Sequence, residues 1–148
     1  MLDIAVAREH PTADVDAKRL RLAVNSILSD AGIASGEVSI AIVDDARMHE
    51  LNRRYLDHDY PTDVLSFVLA REGDRLEGQI VVSADYAARE ASRYGWSADD
   101  ELLLYTIHGA LHLVGYDDSS PDAKLAMRQQ ERAYLAQFGL KPRYDDGQ

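Results

Sequence analysis

The chain has 148 residues, of which 46% are hydrophobic, and a formal net charge of −10. These values fit one globular domain with its own core and exclude a disordered tail protein. Cysteine is absent, which excludes disulfides, thiolate zinc sites and a cysteine nucleophile. No apolar run approaches the ~18 residues of a membrane span, and the first residues hold no apolar block of signal length. We therefore expect a cytoplasmic protein with no membrane partner.

The excess of acidic residues bears on possible partners. Nucleic-acid binding relies on Lys and Arg that neutralise phosphates, so the charge weighs against a broad electrostatic contact with nucleic acid. It leaves room for a local basic groove or a metal-focused contact. We expect no DNA partner, and the sequence sets no oligomeric state.

The first half of the chain predicts the order strand, helix, strand, helix. Alternating apolar and polar residues predict a strand over 2–7, and apolar residues at helical spacing predict a helix over 14–31. The stretch 38–43 is rich in β-branched residues and predicts a second strand. Asp44 is placed to cap a following helix that runs to about Tyr55.

The second half predicts a hairpin followed by three helices. Strands are predicted over 64–69 and 79–82, with a turn over 71–75 between them. Three serines are placed to cap three helices that end at glycines: Ser83 with Gly95, Ser97 with Gly115, and Ser120 with Gly139. We predict a frayed tail over 142–148. The whole order predicts a single domain over 1–148 of the α/β (α+β) class, with one small mixed sheet of about four strands packed with about five helices.

The segment 108–118 carries the residues suited to chemistry. His108 and His112 are four residues apart on a predicted helix, so their side chains share one face and can chelate one ion. Gly115 lets the chain reverse with positive φ, which can bring Asp117 or Asp118 back toward the imidazoles. Three such ligands with a fourth position left to water describe a catalytic zinc site. Nickel or iron would also suit these ligands.

Two other interpretations of this segment are weaker. A histidine pair at helical spacing also arises by chance, but a helix-ending glycine and an acid at a fixed offset make coincidence less probable than metal binding. The spacing is similar to the zinc-protease helix, which needs a Glu directly after the first His as general base. Here that position is Gly109, so peptidase chemistry by that route is disfavoured.

Two longer motifs are Pro-Thr-Asp-Val-Leu-Ser-Phe at 61–67 and His-Gly-Ala-Leu-His-Leu-Val-Gly-Tyr-Asp-Asp at 108–118. They resemble the YbeY family of zinc-dependent endoribonucleases. The resemblance implies a single-strand-specific, metal-dependent endoribonuclease that acts in rRNA maturation (the 3′ end of 16S rRNA) and ribosome quality control. It implies rRNA and the small ribosomal subunit as partners. It also implies one Zn²⁺ per chain held by His108, His112 and Asp118, where Asp118 replaces the family's third histidine and a carboxylate is also a normal zinc ligand.

Two positions depart from the family pattern. Leu56 stands where members carry an arginine important for activity, and Gln79 stands where they carry an aspartate. These departures keep two alternatives open. One is a non-catalytic ribosome-associated factor with a structural metal, and the other is a metal-dependent hydrolase of another substrate.

Asp63 and Asp117 are the candidate catalytic residues that would move protons. The alternative for Asp63, which follows a Pro-Thr turn, is to cap local backbone. The alternative for Asp117 is to orient a ligand histidine. Arg47, Arg53 and Arg54 lie on one predicted helix and are candidate contacts for RNA phosphates, unless they form only the solvated face of that helix.

Overall fold

The structure is a computed structural model that describes residues 2–10, 15–55 and 63–142. In the described residues the elements follow in this order: β1 (Leu2–Arg8), α1 (Ala17–Asp30), β2 (Ser35–Val43), α2 (Asp45–Tyr55), β3 (Val64–Glu72), β4 (Arg75–Ser83), α3 (Ala84–Tyr94), α4 (Ala98–Leu113) and α5 (Pro121–Ala136). One mixed sheet of four strands packs with five helices, which confirms the predicted fold class.

Some of the predictions fall on residues outside this description. Leu56, the Pro61-Thr62 turn and residues 143–148 lie outside the described residues. Pro142, where the predicted frayed tail begins, is buried. The described chain is therefore packed against the domain as far as that proline.

The four strands form one sheet in the order β1-β2-β4-β3. Strands β1, β2 and β4 are parallel, and Ile40 pairs with Val6 on one side and Ile80 on the other. Strand β3 pairs antiparallel with β4, so the predicted hairpin is present. Its turn, with Gly73 at φ 58°, is tighter than the predicted 71–75, because both strands stay paired up to it.

The helices cover the two faces of the sheet unequally, because side chains alternate between the faces along each strand. The main core lies between one face and α1, α3, α4 and α5; it includes Ile40 and Ile80 of the sheet with Ile107 of α4. A smaller cluster under α2 lies on the opposite face and includes Met48 and Val81. Helix α2 therefore sits across the sheet from α4.

Helix α4 is the central element of the main core and carries the histidine pair. Its side chains are apolar on most sides, and the helix is therefore able to pack against α1, α3, α5, β3 and β4 at once. It begins after Ser97, whose Oγ accepts the N–H of Asp100 over 3.0 Å. None of the helices in the described ranges combines the length and apolarity required to cross a bilayer.

The end of α4 is a Schellman motif that reverses the chain. Gly115 has φ 107°, its N–H donates to the carbonyl of His112 over 3.1 Å, and the N–H of Tyr116 donates to the carbonyl of Leu111 over 3.0 Å. These bonds satisfy carbonyls that a helix end leaves open. Because the chain doubles back at Gly115, Asp118 returns to the side of the histidines.

Candidate metal centre

The three predicted ligand side chains converge where α4 ends. The Nε2 atoms of His108 and His112 lie 3.0 Å apart, and Nε2 of His108 lies 3.9 Å from Oδ2 of Asp118. One ligand atom from each residue lies within 4.8 Å of the others. Ligand atoms of a tetrahedral zinc site are spaced by about 3.4 Å, as bonds of ~2.1 Å require. The donor set and its spacing therefore suit one divalent ion after small side-chain adjustments.

His108 is held from its other nitrogen by Glu131 of α5. Its Nδ1–H donates to Oε2 of Glu131 over 2.6 Å, and Glu131 is only 4% exposed. Burial lowers the pKa of His108, but the hydrogen bond and charge of Glu131, together with the charges of Asp63 and Asp118, outweigh that effect and raise the pKa. A proton on Nδ1 leaves the lone pair on Nε2, the nitrogen that faces His112. Histidines that bind metals commonly have such a carboxylate partner.

His112 and Asp118 are less enclosed than His108. His112 is half-buried and Asp118 is exposed. Burial and the neighbouring His108 both lower the pKa of His112. The neutral imidazole is the form that binds a metal, so this direction favours ligation.

Asp63 lies at the beginning of β3 and faces the same cleft. A cavity of about 190 Å³ is lined by Asp63 together with His108, Asp118 and Glu131. Burial raises the pKa of Asp63, and the charge of His108 and the Val64 N–H oppose that rise. The carboxylate accepts the Val64 N–H over 2.8 Å. The structure therefore brings Asp63 to the candidate centre. It also shows Asp63 capping the local backbone, which was the alternative interpretation of this residue.

Asp117 is placed differently from Asp63. It is exposed, and its Oδ1 accepts the backbone N–H of Ser119 over 3.1 Å and the hydroxyl of Ser119 over 2.8 Å. These two hydrogen bonds lower its pKa. Asp117 does not line the cleft that holds Asp63. Its contacts shape the turn before α5, and its catalytic role stays a prediction.

Arg47 of α2 lies away from the candidate centre, and contacts of Arg53 and Arg54 with RNA stay a prediction. Arg47 donates to Glu50 over 2.9 Å, and it lines a separate cavity together with Tyr55 and Gln79. That cavity lies on the sheet face under α2, whereas α4 packs on the other face. The departure from the family pattern at Gln79 therefore falls outside the metal centre.

Gly109 of α4 packs closely against the sheet. A Cβ at this position would lie 2.7 Å from Cγ2 of Ile80 and 3.1 Å from Cγ2 of Val64. The Ser66 hydroxyl donates to the Gly109 carbonyl over 2.9 Å. A side chain at position 109 would point into the sheet and not into the cleft. A glutamate like that of the zinc proteases therefore has no space at position 109. Close packing explains why the chain departs from the zinc-protease motif there.

We expect Gly109→Ala to destabilise the domain although alanine favours helices. The new methyl would overpack the helix–sheet contact, which costs about 1–3 kcal/mol, or a few degrees in Tm for a chain of this length. Thermal unfolding of Gly109→Ala, Ile80→Ala and the double variant measures this cost. Removing Cγ2 of Ile80 should relieve the clash, so the double variant should lose less than the sum of the single losses. Strictly additive losses would contradict the packing explanation.

Sequence reasoning missed Glu131 as a member of the site. It belongs to another helix than His108 and lies 23 residues further along the chain. One feature of the sequence could have marked it: Glu131 lies four residues after Met127 and four before Leu135, which is the spacing of one helix face. The structure buries that face, with Met127, Glu131, Tyr134 and Leu135. A buried carboxylate needs a partner, but the sequence does not say which one.

Comparison with known proteins shows the family of the chain. An α+β domain in which two imidazoles and a carboxylate converge beside a cleft is typical of a small metal-dependent hydrolase. The chain belongs to the YbeY family, because the family model described as Endoribonuclease YbeY matches residues 5–139. Membership of the YbeY family, which the two sequence motifs led us to expect, is thereby confirmed.

Individual relatives cover most of the chain. Proteins named Endoribonuclease YbeY are 46% identical in Desulfitobacterium hafniense (70% of this chain and 73% of that protein) and 42% identical in Carboxydothermus hydrogenoformans (86% and 92%). The one from Salinibacter ruber is 36% identical and covers 89% of each chain. The solution structure of a Thermotoga maritima protein is 25% identical, with a TM-score of 0.62 over 100% of this chain and 99% of that one.

Proposed function

We propose that this chain is a metal-dependent endoribonuclease that hydrolyses phosphodiester bonds in single-stranded rRNA, including the 3′ end of 16S rRNA. The small ribosomal subunit would be its partner, in the cytoplasm. One observation carries the proposal: His108, His112 and Asp118 converge beside a cleft that also holds Asp63. The relatives named as endoribonucleases support the same activity.

The metal we propose is Zn²⁺, one ion per chain. Two imidazole nitrogens and a carboxylate oxygen suit zinc, and His108 and His112 would hold the ion together with Asp118. When bound, the ion supplies Lewis-acid polarisation of a phosphoryl oxygen and lowers the pKa of a water molecule. Glu131 would keep His108 in the tautomer that directs Nε2 at the ion.

Asp63 is our candidate for the group that moves protons. In the hydrolysis the water oxygen forms a bond to phosphorus, the bond from phosphorus to the leaving oxygen breaks, and Asp63 accepts the proton of the water. Burial raises the pKa of Asp63. This moves the carboxyl toward the pH range in which one group can accept a proton and then return it to the leaving oxygen.

The test is cleavage of an rRNA fragment with a single-stranded end, under single-turnover conditions. Protein purified without added metal is first analysed for its metal content and then assayed with and without a chelator. We expect cleavage that the chelator abolishes and added Zn²⁺ restores, because the hydrolysis depends on the ion. The same fragment annealed to its complement serves as the control and should be cut much more slowly.

A different result would contradict the enzyme. If the RNA stays intact while the protein holds one equivalent of zinc, the metal is structural. Co-sedimentation of that protein with the small ribosomal subunit would then indicate the non-catalytic factor. Chelator-sensitive activity on a substrate other than RNA would indicate another hydrolase.

A further inference from the structure

The cleft beside the candidate metal centre presents an electrostatic problem for RNA. The acidic residues known to line it from the described ranges are Asp63, Asp118 and Glu131, and the whole chain carries a formal net charge of −10. Each phosphate of an RNA strand is negative, so the general field of the protein repels the strand. Local cations are needed to bring a strand into this cleft.

Within the described part of the chain two cations line the cleft, and both belong to α5. They are Lys124 and Arg128, four residues apart. Residues at this spacing lie on one face of a helix, with Cβ atoms about 5–6 Å apart. Helix α5 begins at Pro121, shortly after the ligand Asp118. The first two turns of α5 therefore form the basic wall of the cleft, next to the metal ligands.

The charge of Lys124 is available to a ligand. Among the described residues the side chain of Lys124 makes no hydrogen bond or ion pair, and it is exposed. Many arginines elsewhere are already engaged with acids: Arg19 with Asp99 and Asp100, Arg47 with Glu50, Arg75 with Glu77, Arg89 with Asp45, and Arg93 with Glu90. Those pairs neutralise the arginine charge, whereas Lys124 keeps its charge at the mouth of the candidate site.

We propose that Lys124 and Arg128 form a phosphate subsite that binds the RNA backbone next to the scissile bond. The inference rests on the proposed endoribonuclease function and adds to it the residues that hold the strand. A lysine binds phosphate as a point charge, and an arginine can do so through two parallel N–H groups. Contacts to phosphates position a strand without reading its sequence. The subsite therefore gives affinity and register, while Asp63 and the metal ligands act on the bond.

The double variant Lys124→Gln/Arg128→Gln tests the subsite. It should raise the KM for a single-stranded RNA about tenfold, because two charge-assisted contacts are lost. The kcat at saturating RNA should change little, and the zinc content should stay at one ion per chain. The slope of log affinity against log salt should become shallower by about 1.4, since each phosphate contact on a single strand contributes about 0.7.

The matched control is Lys18→Gln/Arg21→Gln on α1. It removes the same two charges from exposed positions that do not line the cleft. Its effect on KM and on the salt slope measures the general field alone, and we expect it to be small. Thermal unfolding of both double variants confirms that each is folded.

Equilibrium binding separates a failure of the subsite from a failure of the proposed function. Anisotropy of a labelled single-stranded RNA, measured with the chelator present so that the RNA stays intact, reports affinity separately from cleavage. Equal affinities and salt slopes in the two double variants would overturn the subsite, and chelator-sensitive cleavage by the unaltered protein would still support the endoribonuclease. A selective loss of affinity in the α5 variant, with no cleavage by the unaltered protein, would uphold the subsite and reject the proposed hydrolysis.

Discussion

Replacing His108 with alanine should remove the bound metal and slow RNA cleavage by about 10³-fold or more. The change deletes the Nε2 atom that lies 3.0 Å from Nε2 of His112. The loss of Lewis-acid stabilisation is worth several kcal/mol, and each 1.36 kcal/mol is tenfold in rate. Metal analysis of the purified variant and single-turnover cleavage rates measure the two effects together.

Two further variants keep this experiment interpretable. His108→Ala also leaves the buried Glu131 without its imidazole partner, which can unfold the domain. His112→Ala leaves that pair intact, so it should lose the metal and the activity with less change in Tm. His49→Ala is the control, because His49 lies on α2 across the sheet. Stoichiometric zinc and an unchanged rate in both centre variants would reject the assigned ligands.

Replacing Asp63 with asparagine should slow cleavage by about 10² to 10⁴-fold, which is the usual contribution of a general base. Asparagine has almost the same shape and can still accept the Val64 N–H, a contact of 2.8 Å in the structure. It has no carboxylate to take a proton from water. Single-turnover rates at saturating RNA are the measurement, and the metal content should remain at one ion per chain.

Asp117→Asn made in parallel decides between the two acids that the sequence singles out. The structure has Asp117 exposed and bonded to Ser119, outside the cleft that Asp63 lines. A large loss in Asp117→Asn with a normal rate in Asp63→Asn would show that Asp63 is not the base. A loss of zinc in Asp63→Asn would show instead that Asp63 supports the ligands.

The parts of the molecule that follow local rules could be predicted from the sequence. The spacing of His108 and His112 sets them on one face of a helix, and Gly115 ends that helix where a left-handed residue is needed. The strands and the hairpin follow from alternation and turn composition. Helix starts could be predicted less exactly. The helix predicted over 14–31 begins at Ala17 and is capped by Asp16, whose carboxylate accepts the N–H of Arg19.

The parts that depend on long-range packing could not be predicted. Whether the arginines of α2 reach the metal centre depends on which sheet face α2 covers. The strand order β1-β2-β4-β3 does not decide that, and a period of two along each strand also leaves it open. The pairing of Glu131 with His108 also depends on how α5 packs on α4. The spacing of residues along the sequence shows which side chains are neighbours on one helix or strand. It gives no distance between side chains on different helices or strands.

All three candidate metal ligands come from one short stretch, residues 108–118, which is a helix end and its turn. Closing so short a loop costs little entropy, so the ion needs few distant parts of the chain in order to be captured. Glu131 and Asp63 reach the same place only when the second half of the domain and the sheet are assembled. We therefore expect a preparation to retain a bound metal after the rest of the domain has loosened, so that metal content alone would overestimate the fraction of intact protein.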